Sequence, residues 1–372
     1  MRVAIIGGGY AGLACVLQLR RQSSEIEVHL IDPSPCHIKN NHLHQTLDRP
    51  LQSFSVPFAA LAERLGFSFH QHDCRWDLQQ LRDWQQHRVL PLGEGALPFD
   101  LAVLATGAQP VPLAAGDFCY GLGEFRQGLG PGLMESFRER VGDRPAHCTV
   151  VGSGPSGIQF LFALHDRLTH WRIVHQLRLV TLDCKMVPEL PGGFHQKLLA
   201  AMTARGISFI PASRFIGQQK TCLRLQPLDM SPPKSIESDL TLLFPGVEPQ
   251  PTRLKTNPFG QVLLGGACLD SIFAAGDCAD FAGPGLNTLT AQAAVRKGRL
   301  VAANISALAS KGKLTPYSYR ERGFFLALGP LDGLGWLGWR RNLVSGLTAM
   351  AVKELLEAQY DLLLEGLDTY PG

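Results

Sequence analysis

No stretch of the chain reaches about eighteen consecutive apolar residues, so nothing in it reads as a helix that crosses a bilayer. Long Lys/Arg blocks are also missing, and a net charge of +3 is close to neutral, so nucleic acid is not an expected partner. The nine cysteines, at positions 15, 36, 74, 119, 148, 184, 222, 268 and 278, include no Cys-x-x-Cys or other short spacing. A dithiol redox centre or a zinc ribbon is therefore not expected; reduced, mostly buried thiols of a cytoplasmic protein are. A leader is not expected, because the first apolar run begins right after Arg2. His37, His42 and His44 come nearest to a metal cluster. Their spacing fits no familiar ligand pattern and no Cys or carboxylate cluster stands beside them, so no metal is expected.

What is present is an ordinary globular composition, 45% hydrophobic and 18% charged, with 372 residues giving room for two or three cores. The chain opens Met-Arg-Val-Ala-Ile-Ile-Gly-Gly-Gly-Tyr-Ala-Gly. Val3 to Ile6 reads as a buried strand, Leu13 to Leu19 has helical spacing, and Gly7, Gly9, Tyr10, Ala11 and Gly12 form the turn between them. Gly7 makes the bend, Gly9 lets backbone N–H groups approach a pyrophosphate, and Gly12 lets helix and strand pack closely. The pyrophosphate then sits at the positive end of the helix. Glu25 to Ile31 reads as a second strand ending in Asp32, where a carboxylate can accept hydrogen bonds from a ribose.

The device recurs. Cys148 to Val151 is followed by Gly152-Ser-Gly154-Pro-Ser-Gly157 and a helix through Leu164. A strand from Arg178 to Leu182 then ends at Asp183, making an internal repeat of architecture. Between the copies, the strand Asp100–Leu104 runs into Ala105-Thr106-Gly107, where a backbone can lie against a nucleotide. Residues 73 to 98 read as polar and hairpin-like, and the Gly- and Pro-rich stretch from Pro110 to Gly132 as a domain boundary. Later, Ser271 to Ala275 forms a strand ending in Gly276-Asp277, ahead of a helix from Thr290 to Leu308.

Two glycine fingerprints separated by Ala-Thr-Gly, then a late Ala-x-Gly-Asp, resemble the two-dinucleotide-binding flavoprotein superfamily of pyridine nucleotide-disulfide oxidoreductases. The resemblance covers about residues 1 to 310. It implies an α/β fold of two Rossmann-like domains, with an NAD(P)-binding domain (116–249) inserted in a split FAD-binding domain (1–115 and 250–315) and a C-terminal segment (316–372). FAD is the implied cofactor of the first turn, with Asp277 on its ribityl chain and the His-rich loop from Pro33 to Ser55 lining its cavity, Lys39 or His44 nearby. NADH or NADPH is the implied co-substrate of Gly152, Gly154 and Gly157. Asp183 favours NADH by accepting from the ribose 2′-hydroxyl, while Lys185 blurs that preference.

Within the superfamily, the disulfide reductases and the sulfide:quinone and peroxide branches need cysteines that this chain does not place suitably; Cys119 and Cys278 read as structural. Thr290-Ala-Gln292-Ala-Ala-Val-Arg-Lys-Gly298, with Pro316 to Gly329 after it, resembles the type II NADH dehydrogenases and apoptosis-inducing-factor-like quinone reductases. That implies hydride transfer from nicotinamide to FAD and then to a quinone-like acceptor, with Gln292 and Gln159 as orienting groups. Gln159 stands where those enzymes usually carry Glu, and Phe244 where relatives often have a small residue. A reductase of a protein electron carrier and an accessory, non-catalytic flavoprotein therefore stay open. The tail, Trp336 to Glu365, carries Trp339 beside Arg and an apolar stripe of Leu343, Leu347, Met350, Leu355, Ala358 and Leu362. It reads equally as a peripheral anchor on the inner face of a membrane or as packing on the core or a second copy. Acidic residues Glu354, Glu357, Asp361 and Glu365 give its polar face a charge that suits anionic lipid poorly.

Overall fold

The computed structural model describes residues 1–112, 116–249 and 251–369. The junctions read at 115/116 and 249/250 touch residues 113–115 and 250, which lie outside the described residues, as does the 370–372 end of the C-terminal segment.

The first layer grows from an apolar strand, Arg2–Ile6, flanked in parallel by Glu27–Asp32 and Leu101–Leu104. Ser68–Gln71 extends one side, and Ala267–Ala274, returning from far along the chain, extends the other beside Leu101–Leu104. Antiparallel Gln261–Leu264 and the short strands Leu254–Thr256 and Ala279–Phe281 complete an eight-stranded sheet. Helices Tyr10–Gln22 and Ala291–Ala309 pack on it side by side. Their contact is close because Gly298 has no side chain: a Cβ there would lie 2.1 Å from Ala11 O. The strand interiors are continuous apolar runs, as expected for a parallel sheet covered on both faces.

A second sheet is wholly parallel and five-stranded, ordered Cys119–Gly121, Leu240–Leu243, Ala146–Val151, His175–Val180, Ser208–Ile210. Three antiparallel strands, Ser213–Gln219, Cys222–Pro227 and Lys234–Glu237, lie beyond it. Its helix Pro155–His170 buries Ile158, Leu161, Phe162 and Leu164 against a core of its own.

Several elements depart from the sequence reading. Residues 73 to 98 are only partly a hairpin, confined to Val89–Leu92 and Gly95–Pro98. Helix Leu78–His87 precedes it, started by a capping box in which Asp77 Oδ1 accepts the Gln79 and Gln80 amides, each at 2.8 Å, and Gln80 Oε1 accepts Asp77 N–H. Such a cap stabilises by about 1 kcal/mol, and Leu81 and Trp84 supply its buried face. The Pro110–Gly132 stretch holds the strand Cys119–Gly121 and the short helix Leu122–Arg126. The strand read at Arg178 to Leu182 runs instead from His175 to Val180, leaving Asp183 outside it.

The C-terminal segment clasps both cores. Strands Gly323–Ala327, Gly333–Leu337 and Leu343–Ser345 pair antiparallel and bury Leu326, Leu334 and Trp336 in the second core. Helix Leu347–Leu364 then buries Tyr360, Leu363 and Leu364 in the first. Of the acidic residues here only Glu357 is turned inward, to His42 and Lys353; Asp361 pairs with Lys39 and Glu365, just past the helix, with Arg64 at the surface, and Glu354 is exposed. Its outer side carries Leu347, Ala351, Leu355, Ala358 and Leu362, all exposed, with Leu355 at 70%. The expected stripe is thus divided: Leu343 lies in a strand against the second core, Met350 faces inward, and Leu347, Leu355 and Leu362 face outward. Among the described residues no helix is long and apolar enough to cross a membrane.

Candidate nucleotide and flavin sites

The first turn is set by sterics. Gly7 takes a φ of +106°, its N–H donates to Ile31 O at 2.8 Å, and a Cβ there would lie 2.3 Å from Ala105 O. At position 12 a Cβ would lie 1.9 Å from Gly7 O. At Gly9 the same atom would meet nothing within 4 Å. The helix that starts at Tyr10 has no side-chain cap and no acidic residue in its first turn. No side chain caps its leading amides, an arrangement that suits an anionic group. Asp32 closes the turn: Oδ2 accepts Gly8 N–H at 2.6 Å and Oδ1 accepts Ser34 N–H at 2.8 Å. Burial raises its pKa, and the two amides oppose that rise.

The strand Ala267–Ala274 delivers Gly276 and Asp277 beside Ala105, Thr106 and Gly107. Asp277 Oδ1 is buried and makes no hydrogen bond, and neither does the Thr106 hydroxyl beside the Cys278 thiol in normal geometry. Burial raises the Asp277 pKa against the pull of Lys297, Arg253 and Arg126. An orphaned buried carboxylate oxygen costs free energy unless a ligand hydroxyl satisfies it, so it fits a polyol chain at this place. These residues fit FAD: the uncapped turn for its pyrophosphate, Asp32 for a ribose and Asp277 for the ribityl chain.

Two cations here were not singled out from the sequence. Lys297, fully buried, donates to Gly276 O at 3.2 Å and Ala279 O at 2.6 Å, with its ammonium 5.4 Å from the centre of the Phe281 ring. Burial lowers its pKa to about 8. It pins the turn that presents Asp277. Arg126, whose Nε donates to Asn40 Oδ1 at 3.1 Å, lies within electrostatic reach of Asp277 and Tyr10. Its position in a glycine-rich stretch gave no signal.

In the His-rich loop it is His37 that meets the turn. A carbonyl only accepts, so His37 Nδ1–H donates to Gly8 O at 3.0 Å, and neutral Nε2 accepts the Tyr360 hydroxyl at 3.0 Å. Burial holds His37 down to about 4, so it is neutral at pH 7. The Tyr10 ring packs edge-on against His37 and also against Tyr360. Lys39 and His44 are drawn to the C-terminal helix instead: Lys39 Nζ pairs with Asp361 at 2.5 Å, and buried His44, pushed down to about 3, neighbours Lys353 and Glu357.

The second turn repeats the first almost atom for atom. Gly152 has φ +103°, its N–H donates to Val180 O at 2.8 Å, and its Cβ would lie 2.0 Å from Phe244 O. At Gly157 a Cβ would again lie 1.9 Å from the preceding turn glycine's oxygen, and at Gly154 it would meet open space. The helix starting at Pro155 is likewise uncapped. Phe244 corresponds to Ala105, and its ring lies in the core, 4.6 Å from the Phe160 ring centre, rather than over the turn. Asp183 is exposed. The glutamines are both tied to the segment after helix Ala291–Ala309: Gln159 Oε1 accepts Ala327 N–H at 3.2 Å, and Gln292 Oε1 accepts the Tyr319 hydroxyl at 3.4 Å.

The family described as pyridine nucleotide-disulphide oxidoreductase matches residues 1–298. The chain is 28% identical over 372 aligned residues to demethylphylloquinone reductase NdbB of Synechocystis, covering 90% of this chain and 87% of that protein. It is 22% identical over 391 to a type II NADH:quinone oxidoreductase of Staphylococcus aureus, covering 96% and 94%. Among solved structures, NDH2 of Plasmodium falciparum in complex with NADH superposes with a TM-score of 0.80 at 11% identity, covering 96% and 94%. The sulfide:quinone oxidoreductase of Aquifex aeolicus superposes at 0.78 and 15%, covering 100% and 93%. At these identities the likeness to solved structures concerns the fold. The match over residues 1–298 shows more: this chain is an oxidoreductase that belongs to the pyridine nucleotide-disulphide oxidoreductase family.

Proposed function

We infer that the protein takes hydride from NADH or NADPH through bound FAD and delivers the electrons to a quinone. The observation that carries this reading is the pair of uncapped, glycine-walled turns, one of which faces the orphaned Asp277 carboxylate. FAD, when bound, supplies the chemistry: it takes up two electrons as hydride and gives them on to an acceptor. This chain's residues do the rest. Gly7, Gly9 and Gly12 open the backbone to the pyrophosphate, Asp32 and Asp277 accept from sugar hydroxyls, and Lys297 fixes the Asp277 turn. Gly152, Gly154 and Gly157 hold the nicotinamide nucleotide. Gln159 and Gln292 serve as orienting groups, each steadied by the segment 319–327. Neither can titrate, so no proton relay is assigned to them.

The quinone acceptor rests on what the relatives' names say of them. The exposed row Leu347, Leu355 and Leu362, with Trp339 at 81% exposure, supports peripheral contact with a membrane that holds such a quinone. Burial of Glu357 and surface pairing of Asp361 with Lys39 and Glu365 with Arg64 offset part of the acidic charge that counted against it, while Glu354 stays exposed. A homodimer through the same row is the competing use of this surface. The buried placement of the Phe244 ring favours a working second site over an accessory flavoprotein.

Anaerobic titration of the FAD-loaded protein with NADH and with NADPH tests the reading. Bleaching of the visible flavin band, followed by reoxidation on adding a soluble quinone, is expected. Failure of both nucleotides to bleach the flavin sinks it, and reoxidation only by a protein carrier reassigns the acceptor. Co-sedimentation with anionic vesicles that is lost in Leu355→Glu supports membrane contact; a dimer lost in the same variant supports self-association.

A further inference from the structure

The two turns differ at the position that reads the adenosine ribose. Gly7 N–H and Gly152 N–H reach Ile31 O and Val180 O at the same 2.8 Å, and the strands pair in matching register, Ile6 with Ile31 and Val151 with Val180. The next residue is Asp32 in the first copy and Thr181 in the second. The surrounding bonds correspond as well. Asp32 accepts from Gly8 and Ser34; Thr181 Oγ1 bonds Ser153 Oγ at 2.9 Å and accepts Asp183 N–H at 3.3 Å. Asp183 therefore corresponds to Ser34, past the strand end and exposed, and not to Asp32.

A carboxylate at the strand end accepts from the ribose 2′-hydroxyl and repels a phosphate placed there. Thr181 is neutral and buried, and its hydroxyl is engaged by its neighbours. Exposed positive charge is close by in sequence and space. Lys185 follows Asp183, and Arg214 lies beside Ser213, whose N–H donates to Thr181 O at 2.9 Å.

We propose that the second turn does not discriminate against a 2′-phosphate, that the protein binds NADPH at least as tightly as NADH, and that Thr181 is the specificity-determining residue. This rests on the second turn being the nicotinamide nucleotide site. It moves the ribose-reading role, and with it the expected preference for NADH, from Asp183 to position 181.

The test is isothermal titration calorimetry of the FAD-loaded protein with ADP-ribose and with 2′-phospho-ADP-ribose, fragments that bind without turnover. In the wild type the phosphorylated fragment binds at least as tightly as the other. In Thr181→Asp it weakens about tenfold relative to ADP-ribose, the scale of a like-charge contact at a binding site. Thr181→Asn, neutral at the same place, keeps the wild-type ratio. An unaltered ratio in a folded Thr181→Asp protein overturns the assignment to Thr181. A wild type that binds ADP-ribose more tightly than the phosphorylated fragment overturns the proposal whatever that variant does, and if Asp183→Asn abolishes the preference, the role belongs to Asp183. Binding of neither fragment overturns the proposal together with the nucleotide reading beneath it, whereas binding of ADP-ribose alone leaves that reading standing.

Discussion

Tyr360→Phe removes a single oxygen at the point where the C-terminal helix meets the first nucleotide turn. The hydroxyl donates to His37 Nε2 at 3.0 Å, and both residues are buried, at 6% and 2% exposure. Water does not replace the lost donor, so a ring nitrogen is left without a partner, at a cost of about 1–3 kcal/mol. The cost falls on the docking of helix Leu347–Leu364, whose other polar ties to this region, Lys39–Asp361 and His42–Glu357, remain. Hydrogen exchange reads that docking directly, because helix amides exchange through local opening. A loss of about 2 kcal/mol corresponds to roughly thirtyfold faster exchange across residues 347–364, with the central strands of both sheets unaffected. Leu355→Ala, on the exposed side of the same helix, is the control and changes exchange little. Exchange within twofold of wild type in Tyr360→Phe, or equal acceleration in the control, refutes the claim that this hydrogen bond holds the helix down.

Acid should undock the same helix. His37 falls from its ordinary value of about 6.5 to about 4 in the folded protein, so the unfolded or undocked chain takes the proton first. The stabilisation is complete above about pH 6.5 and declines by roughly 3 kcal/mol as pH falls to 4, with Lys39 disfavouring and Asp361 favouring the protonated ring. Hydrogen exchange across residues 347–364, corrected for the intrinsic pH dependence of exchange, should lose protection over that window in the wild type and much less in His37→Phe; a flat profile counts against it. Gly157→Ala, whose Cβ would lie 1.9 Å from Gly152 O, should retain FAD yet lose bleaching by either nucleotide, and normal bleaching contradicts the placement of that site. Asp277→Asn should weaken FAD binding by about ten- to a hundredfold while the apoprotein is no less heat-stable, since an unsatisfied buried carboxylate is gone; FAD affinity equal to wild type excludes the ribityl contact. Gln159→Glu keeps an acceptor for Ala327 N–H and should speed flavin reduction by NADH in stopped flow; an unchanged or slower rate argues that position 159 does not address the nicotinamide.

The turns were legible in the sequence because their constraint is local. At Gly7, Gly12, Gly152 and Gly157 the clash is with backbone a few residues away or on the adjoining strand, so the glycine spacing alone announces it. Register was not legible. His175 and Gln176 look too polar to start a strand, and only pairing with Ala146 and His147 makes them one, which is why Asp183 reads as a strand end and is not. Lys297 was hidden for a different reason. A lysine in a helix is solvent-exposed by default, and only the carbonyls of Gly276 and Ala279, brought from another element, give its ammonium a buried home. The acidic residues of the tail misled in the same way, since Lys39, His42 and Arg64, which pair with Asp361, Glu357 and Glu365, lie more than three hundred residues earlier. Helix Leu78–His87 did leave a signal, the Asp77-x-x-Gln80 box, that outweighs its polar composition.

The bond between His37 and Tyr360 spans 323 residues. During synthesis, the strand and helix that frame the first turn emerge within the opening two dozen residues and can pack early. His37 can reach Gly8 O early, but its bond to Tyr360 cannot form until residue 360 has been made, after the whole second sheet. The contact between the tail helix and the first turn is thereby closed last in the protein's biogenesis, and a nascent chain halted inside the second sheet carries a first turn that lacks both this latch and the four later strands of its own sheet.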